Sequence, residues 1–118
     1  MAPTTLPSQK TQTSPYGRKV QDAGYPIRAC EMLATLDGTY YAERVSTDNV
    51  KNVRNTKKAI KKAFTYQTQG KGLTIGEVLS TCPTNWGLTP LKALDWLREH
   101  MIPYYPLGVY KDNGGDNK

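Results

Sequence analysis

Two short β-forming runs separated by one long basic helix constrain the fold of this chain more than any other feature. Residues 39–46, TYYAERVS, are rich in Tyr and Val and predict a strand. Residues 73–80, LTIGEVLS, predict a second. Residues 49–68 lie between them and read as a single helix. Strand, crossover helix and strand make one right-handed parallel unit. Two parallel strands are a poor domain by themselves, because a parallel sheet needs both faces covered and usually more strands. The sequence therefore predicts an α/β chain that is the end of a larger domain or completes itself against a partner.

The helix pattern supports this reading. In residues 49–68, Val50, Val53, Ile60 and Phe64 fall on one face, with Ala59 and Ala63 beside them. Lys51, Arg54, Lys58, Lys61 and Lys62 cover the remainder, so the helix is amphipathic with a basic outer side. Asp48 is the expected N-cap and the run QGKG the expected end. An earlier helix is predicted in residues 25–38, with Gly38 ending it. A later one opens on Thr89 as cap and Pro90 at its first position. Its apolar stripe is Leu91, Leu94, Leu97 and Met101, and Pro103 is expected to stop it. The run YYPLGVY is expected to be extended. No internal repeat is present.

The 118 residues suffice for one domain with a modest core, yet only 37% of them are apolar. The deficit lies at the ends. Residues 1–24 read as a polar loop holding Pro3, Pro7 and Pro15, and residues 109–118 as a polar, glycine-rich tail. Neither is expected to bury enough apolar surface to offset its ordering entropy, which leaves 25–108 as the ordered body. No apolar run reaches the length of a membrane span, and the N-terminus lacks the apolar core of a secretory signal, so a cytoplasmic protein is expected.

A net charge of +6, much of it in KNVRNTKKAIKKAF, could attract an acidic protein, a nucleic acid or an anionic membrane. Such a face is most often a solvated helix surface. Nucleic acid is the weaker functional reading: no aromatic is interleaved with the lysines. Cys30 and Cys82 are the only cysteines, and with the lone His100 they make neither a disulfide framework nor a zinc site. A lone Cys is commonly a small buried residue, and from the residues alone both Cys30 and Cys82 read that way.

Four stretches are more specific. MAPTTLPSQKTQTSPYGR, GYPIRACEMLATLDGTYYAERV, KKAIKKAF and EVLSTCPTNWGLTPLKALDWLREHMIPYYPLGVYKD resemble, in order, successive parts of one family. It is the thiamine-diphosphate-binding (beta) subunit of 2-oxoacid:ferredoxin oxidoreductases, of the 2-oxoisovalerate or 2-oxoglutarate type. The likeness runs from Ala2 to about Asp112. It implies the C-terminal portion of a thiamine-diphosphate-binding fold, a partial parallel sheet with flanking helices. In that family an upstream part holds a Cys-x-x-Cys and the Gly-Asp-Gly and Asn positions that grip Mg2+ and the cofactor diphosphate. None of these is in this sequence. The resemblance therefore implies a fragment or split subunit, inactive alone.

The site residues follow from the same resemblance. Cys82 resembles the last thiolate of a [4Fe–4S] cluster in the complete enzyme, with Pro83 stiffening its loop. Thr4 and Thr5 would lie on the loop walling the thiamine diphosphate and substrate pocket. The implied partners are the alpha and gamma subunits, ferredoxin, a 2-oxo acid and coenzyme A, and the basic helix face would steer ferredoxin. No catalytic side chain is assigned. Trp86, Tyr104 and Tyr105 are expected to pack the tail onto the core. The alternatives are a non-catalytic structural subunit that completes a partner's sheet, and a basic anion-binding module.

Overall fold

The computed structural model of the chain describes residues 4–114. In chain order its elements are α1 (Val20–Ala23), α2 (Ala29–Ala34), β1 (Thr39–Ser46), α3 (Val50–Thr68), β2 (Leu73–Leu79), α4 (Pro83–Trp86), α5 (Pro90–Trp96), a π-helical turn (Leu97–Met101), α6 (Ile102–Tyr104) and β3 (Gly108–Asp112). Among the described residues no helix is long and apolar enough to cross a membrane. Residues 115–118 of the expected tail lie outside the described residues.

The sheet is mixed rather than wholly parallel. Its order is β2-β1-β3, with β1 and β2 parallel, as the crossover unit requires, and β3 antiparallel to β1. Sequence reading finds two strands. The third starts where YYPLGVY was expected to be merely extended, and its last four residues belong to the expected tail. It is held by non-local contacts. The Lys62 ammonium lies 2.9 Å from the Asp112 carboxylate, and the Tyr66 hydroxyl donates to that carboxylate at 3.0 Å. Burial pushes the Asp112 carboxyl up, but these donors outweigh it and hold it below its ordinary range. Lys62 is thus turned toward the sheet and is not part of the outer basic side.

The helix α3 lies on one face of the sheet and α2 on the other. The buried residues of α3 are Thr56 and Ala59, and the Thr56 hydroxyl donates to the Ser46 carbonyl at 2.7 Å. The expected apolar stripe is not buried: Val50, Val53, Ile60 and Phe64 are all exposed. Small residues seat the helix close to the strands, and the larger apolar ones overhang. At the α3–β2 junction Gly72 has φ 142°, and a Cβ there would meet the Gly38 carbonyl oxygen at 2.9 Å. Only glycine suits both conditions.

The N-cap of α3 is Asn49 rather than Asp48; its side chain accepts from the Asn52 N–H at 2.8 Å. Asp48 is buried and takes donors from Ser46, Asn52 and Arg98, the last at 2.9 Å. Burial pushes its carboxyl up, but hydrogen bonds from Ser46, Asn52 and Arg98 outweigh it, bringing it from 3.8 down to about 2. A carboxyl depressed in the folded state contributes stability above its unfolded pKa, and that contribution is lost as pH falls through the folded one. We expect Asp48→Asn to cost about 2 kcal/mol at pH 7. The loss should shrink steadily between pH 4 and pH 2 in urea titrations, and a pH-independent difference would contradict this assignment.

The apolar core is formed by Leu6, Leu79, Leu97, Met101 and Tyr105, with Trp86, Trp96, Tyr104 and Leu107 packed against it. Trp86, Tyr104 and Tyr105 therefore pack as expected, and Cys30 is fully buried in α2. Leu91 is exposed, and Ala93 takes the inward position in α5. The final helix does not stop before Pro103, which lies inside α6. Proline cannot donate to the carbonyl four residues back, and the wider π-helical turn just before it suits that missing bond.

The N-terminal segment is the largest departure from expectation. Leu6 joins the core, and Thr5, Thr11, Ser14 and Arg18 are buried. Residues 4–24 are ordered against the body, not a solvated linker. Packing energy comes from Leu6 and hydrogen bonding from Arg18, which composition averages conceal.

Candidate functional site

The candidate site lies beyond the carboxyl end of β2, the place where open α/β sheets receive ligands. The strand ends at Leu79; Ser80 and Thr81 then lead to Cys82, which precedes the single turn α4. Pro83 opens that turn and Gly87 closes it with φ 68° in the left-handed region. The Trp86 N–H donates to the Cys82 carbonyl at 2.9 Å. The Cys82 thiol is exposed and free, on a tightly bounded loop.

One bridge joins the N-terminal segment to this loop, and a second joins it to Tyr105 at the end of α6. The Gln12 N–H donates to Asn85 at 3.1 Å, shared between its side-chain and backbone oxygens. The Tyr105 hydroxyl donates to the Thr4 carbonyl at 3.2 Å. Thr4 is exposed and borders a cleft of about 150 Å³ with Val78, Ser80, Met101 and Tyr105. Thr5 is buried, and its carbonyl accepts from Arg18 at 3.0 Å. Cys82 does not line that cleft. A second cleft, about 330 Å³, runs between residues 6–10 and the aromatic group of Trp86, Trp96 and His100. Trp86 and Trp96 have ring centroids 4.9 Å apart, and His100 stacks on Trp96 at 5.0 Å. The chain thus brings the Thr4–Thr5 segment and the Cys82 loop to one end of the sheet, more than seventy positions apart in sequence.

On the α2 face of the sheet, behind this site, sits Arg44, fully buried on β1. Its guanidinium donates to Glu31 on α2, to Glu77 on β2, to the Tyr110 hydroxyl at 2.9 Å and to the Pro106 carbonyl at 3.3 Å. Burial opposes its charge, but the Glu31 and Glu77 carboxylates outweigh that and hold it protonated. The Tyr105 hydroxyl is pushed up to about 12, by burial above all, so it is a hydrogen-bond donor across the physiological range. Sequence reading missed Arg44 and Arg18. The signal for Arg44 was its place in period two with Ala42 and Ser46, on an inward face of β1.

The chain is 40% identical, over all 118 of its residues, to ketoisovalerate oxidoreductase subunit VorA of Methanothermobacter thermautotrophicus, and equally to that of Methanothermobacter marburgensis. The chain is a relative of 2-oxo-acid oxidoreductase subunits. It is also 31% identical over 104 residues, 80% of its length, to 2-oxoglutarate synthase subunit KorB of Methanocaldococcus jannaschii. The chain spans 25% of each VorA relative and 36% of KorB. No protein-family profile matches the chain, and no solved structure does.

The donors in this oxidoreductase relative can be weighed against the groups the sequence suggests. A [4Fe–4S] cluster needs four thiolates. The described residues offer the exposed Cys82 and the fully buried Cys30, whose thiol is pushed up to about 11 by burial above all and by the nearby Glu77. Among the described residues no three His, Cys, Asp or Glu side chains converge to hold a metal ion. The described residues alone therefore fit neither the cluster nor a diphosphate-bound Mg2+.

Proposed function

We propose that this chain is the C-terminal part of the thiamine-diphosphate-binding beta subunit of a 2-oxoacid:ferredoxin oxidoreductase. The reaction of the complete enzyme is oxidative decarboxylation of a 2-oxo acid to its acyl-coenzyme A, with ferredoxin as electron acceptor. The observation that carries this reading is the identity of 40% to VorA across every residue of the chain. The cleft that Thr4 shares with Ser80 at the carboxyl end of β2, from which the Cys82 loop departs, supports it. Thiamine diphosphate, Mg2+ and the [4Fe–4S] cluster supply the chemistry when the remaining polypeptide is present, together with the alpha and gamma subunits.

This chain's own contribution is positional. Tyr105 and Arg18 hold the carbonyls of Thr4 and Thr5, which sets the segment that walls the substrate pocket. Cys82 supplies one thiolate, the other three coming from outside these residues. Exposed Lys51, Arg54, Lys58 and Lys61 on α3 form a basic surface suited to steering an acidic electron carrier.

The test is anaerobic co-expression with the rest of the subunit, followed by measurement of iron, thiamine diphosphate and 2-oxo-acid oxidation. Cys82→Ser should lose most of the cluster iron and retain thiamine diphosphate. An intact cluster spectrum in that variant would reject the ligand role. A purified complex without thiamine diphosphate or activity would reject the reading as a whole.

A further inference from the structure

The larger cleft, of about 330 Å³ beside residues 6–10, has no part in the function proposed above. One of its walls is aromatic. The ring planes of Trp86 and Trp96 are inclined by 49° with centroids 4.9 Å apart, so the pair forms a wedge and not a closed stack. The exposed His100 lies within 12° of parallel to Trp96 and extends the π-surface toward solvent. The exposed Lys10 lines the same cleft, and among the described residues no Asp or Glu does. The wall formed by residues 7–10 is held in a rare shape. Ser8, at φ 63°, is the one described non-glycine residue with positive φ. Its N–H donates to the Arg18 carbonyl at 2.9 Å, and its own carbonyl oxygen lies 2.9 Å from where a Cβ on Gly17 would stand. The Leu6 N–H donates to the Gln9 side-chain oxygen at 2.8 Å, which leaves the other end of that carboxamide, an NH2, as a donor. A serine keeps this conformation only where its surroundings impose it, and residues so held cluster where ligands are gripped.

We propose that this cleft binds a purine nucleoside phosphate, with its base against the Trp86–Trp96 wall and its phosphate at Lys10. Three features select that chemistry. Indole faces stack on nucleobases, and the larger π-surface of a purine favours it over a pyrimidine. An ammonium with no carboxylate beside it in the cleft attracts phosphate as a point charge. The volume lies at the small end of ligand pockets, which run from about 300 to 1,000 Å³. It suits one base with its ribose phosphate and not a dinucleotide. The rigid 7–10 wall sets the distance between Lys10 and the indoles, so base and phosphate are read together. This chemistry has two sources, a free adenine nucleotide and the adenosine phosphate end of coenzyme A. Only the second of them rests on the family reading above.

The probe is ADP, titrated by calorimetry into the 118-residue chain. Binding should shift the indole N–H resonances of Trp86 and Trp96 and protect the backbone amides of residues 6–10 about tenfold from hydrogen exchange. Ribose 5-phosphate, which lacks the base, and adenosine, which lacks the phosphate, should each bind about tenfold more weakly or less. Lys10→Glu, at an exposed position, should weaken ADP about tenfold and leave adenosine unchanged. Lys71→Glu makes the same change of charge outside the cleft and should leave ADP unchanged. Coenzyme A binding more tightly than ADP, with the same loss in Lys10→Glu, identifies the acyl acceptor as the source; weaker binding identifies the free nucleotide. No saturable binding of ADP, equal binding of ribose 5-phosphate, unmoved indole signals, or equal losses in Lys10→Glu and Lys71→Glu would each overturn the site. A chain that binds ADP in this way but yields no active complex on co-expression would count against the functional reading alone.

Discussion

Replacing Arg44 by Met is expected to cost about 3 kcal/mol and to lower the melting temperature by roughly 10–20 °C. The side chain is fully buried and joins four parts of the chain: Glu31 from α2, Glu77 from β2, Tyr110 from β3 and the Pro106 carbonyl before β3. Its guanidinium carbon also lies 5.1 Å from the ring centroids of Tyr105 and Tyr110. Removing the cation leaves two carboxylates facing each other without their donor. Breaking a buried pair from one side costs far more than the pair itself contributes, because the remaining charge has lost its compensation. Glu31 and Glu77 retain some exposure, at 31% and 19%, which places the cost toward the lower end of the range for buried pairs. Adding Glu31→Gln and Glu77→Gln to Arg44→Met should recover about 2 kcal/mol. A triple variant no more stable than Arg44→Met would show that packing, not charge, sets the cost. Urea unfolding at pH 7 measures all three proteins.

The second large effect belongs to Arg18. Its guanidinium donates to the carbonyls of Thr5 at 3.0 Å, Gly24 at 2.9 Å and Ala23 at 3.1 Å, and so ties the N-terminal segment to the turn before α2. Arg18→Met preserves the apolar stem and leaves those acceptors without their donor. A local loss of about 3 kcal/mol is expected, since hydrogen bonds from a charged donor are worth more than neutral ones. The effect should be confined to residues 4–24. Tryptic cleavage after the exposed Lys10 should accelerate about 100-fold, while exchange at amides of β1 stays unchanged. Unaltered cleavage would mean that Leu6 packing alone secures the segment.

The elements with a local cause were legible in the sequence. β1 occupies Thr39–Ser46, the residues its composition predicts, and β2 falls one residue short of its expected end. Thr89 caps α5 by accepting from the Lys92 N–H at 3.3 Å, with Pro90 following, as read. What sequence reading missed depends on distant partners. The segment 4–24 looks like a linker because its order comes from one arginine and one leucine among polar neighbours. β3 is hidden by Pro106 and a polar tail; it pairs with β1, and Lys62 and Tyr66 of α3 engage its last residue, Asp112. The apolar stripe of α3 was read as the side opposite a basic outer face, and its large members Val50, Val53, Ile60 and Phe64 are themselves exposed. Helical periodicity identifies a face but not its neighbour, and here Thr56 and Ala59 take the sheet. At the site, Cys82 was visible as a cysteine on a proline-bounded loop. The docking of the N-terminal segment at that end of the sheet, through Gln12 with Asn85 and Tyr105 with Thr4, is a long-range fact that no local pattern carries.

Trp86 and Trp96 are the only two tryptophans in the 118 residues, and both line the cleft roofed by residues 6–10. The chain's tryptophan fluorescence, excited selectively over its eight tyrosines, therefore originates entirely from that one location. Any lifting of the N-terminal segment changes the polarity around both indoles together, so its opening and closing can be timed optically in the unlabelled protein.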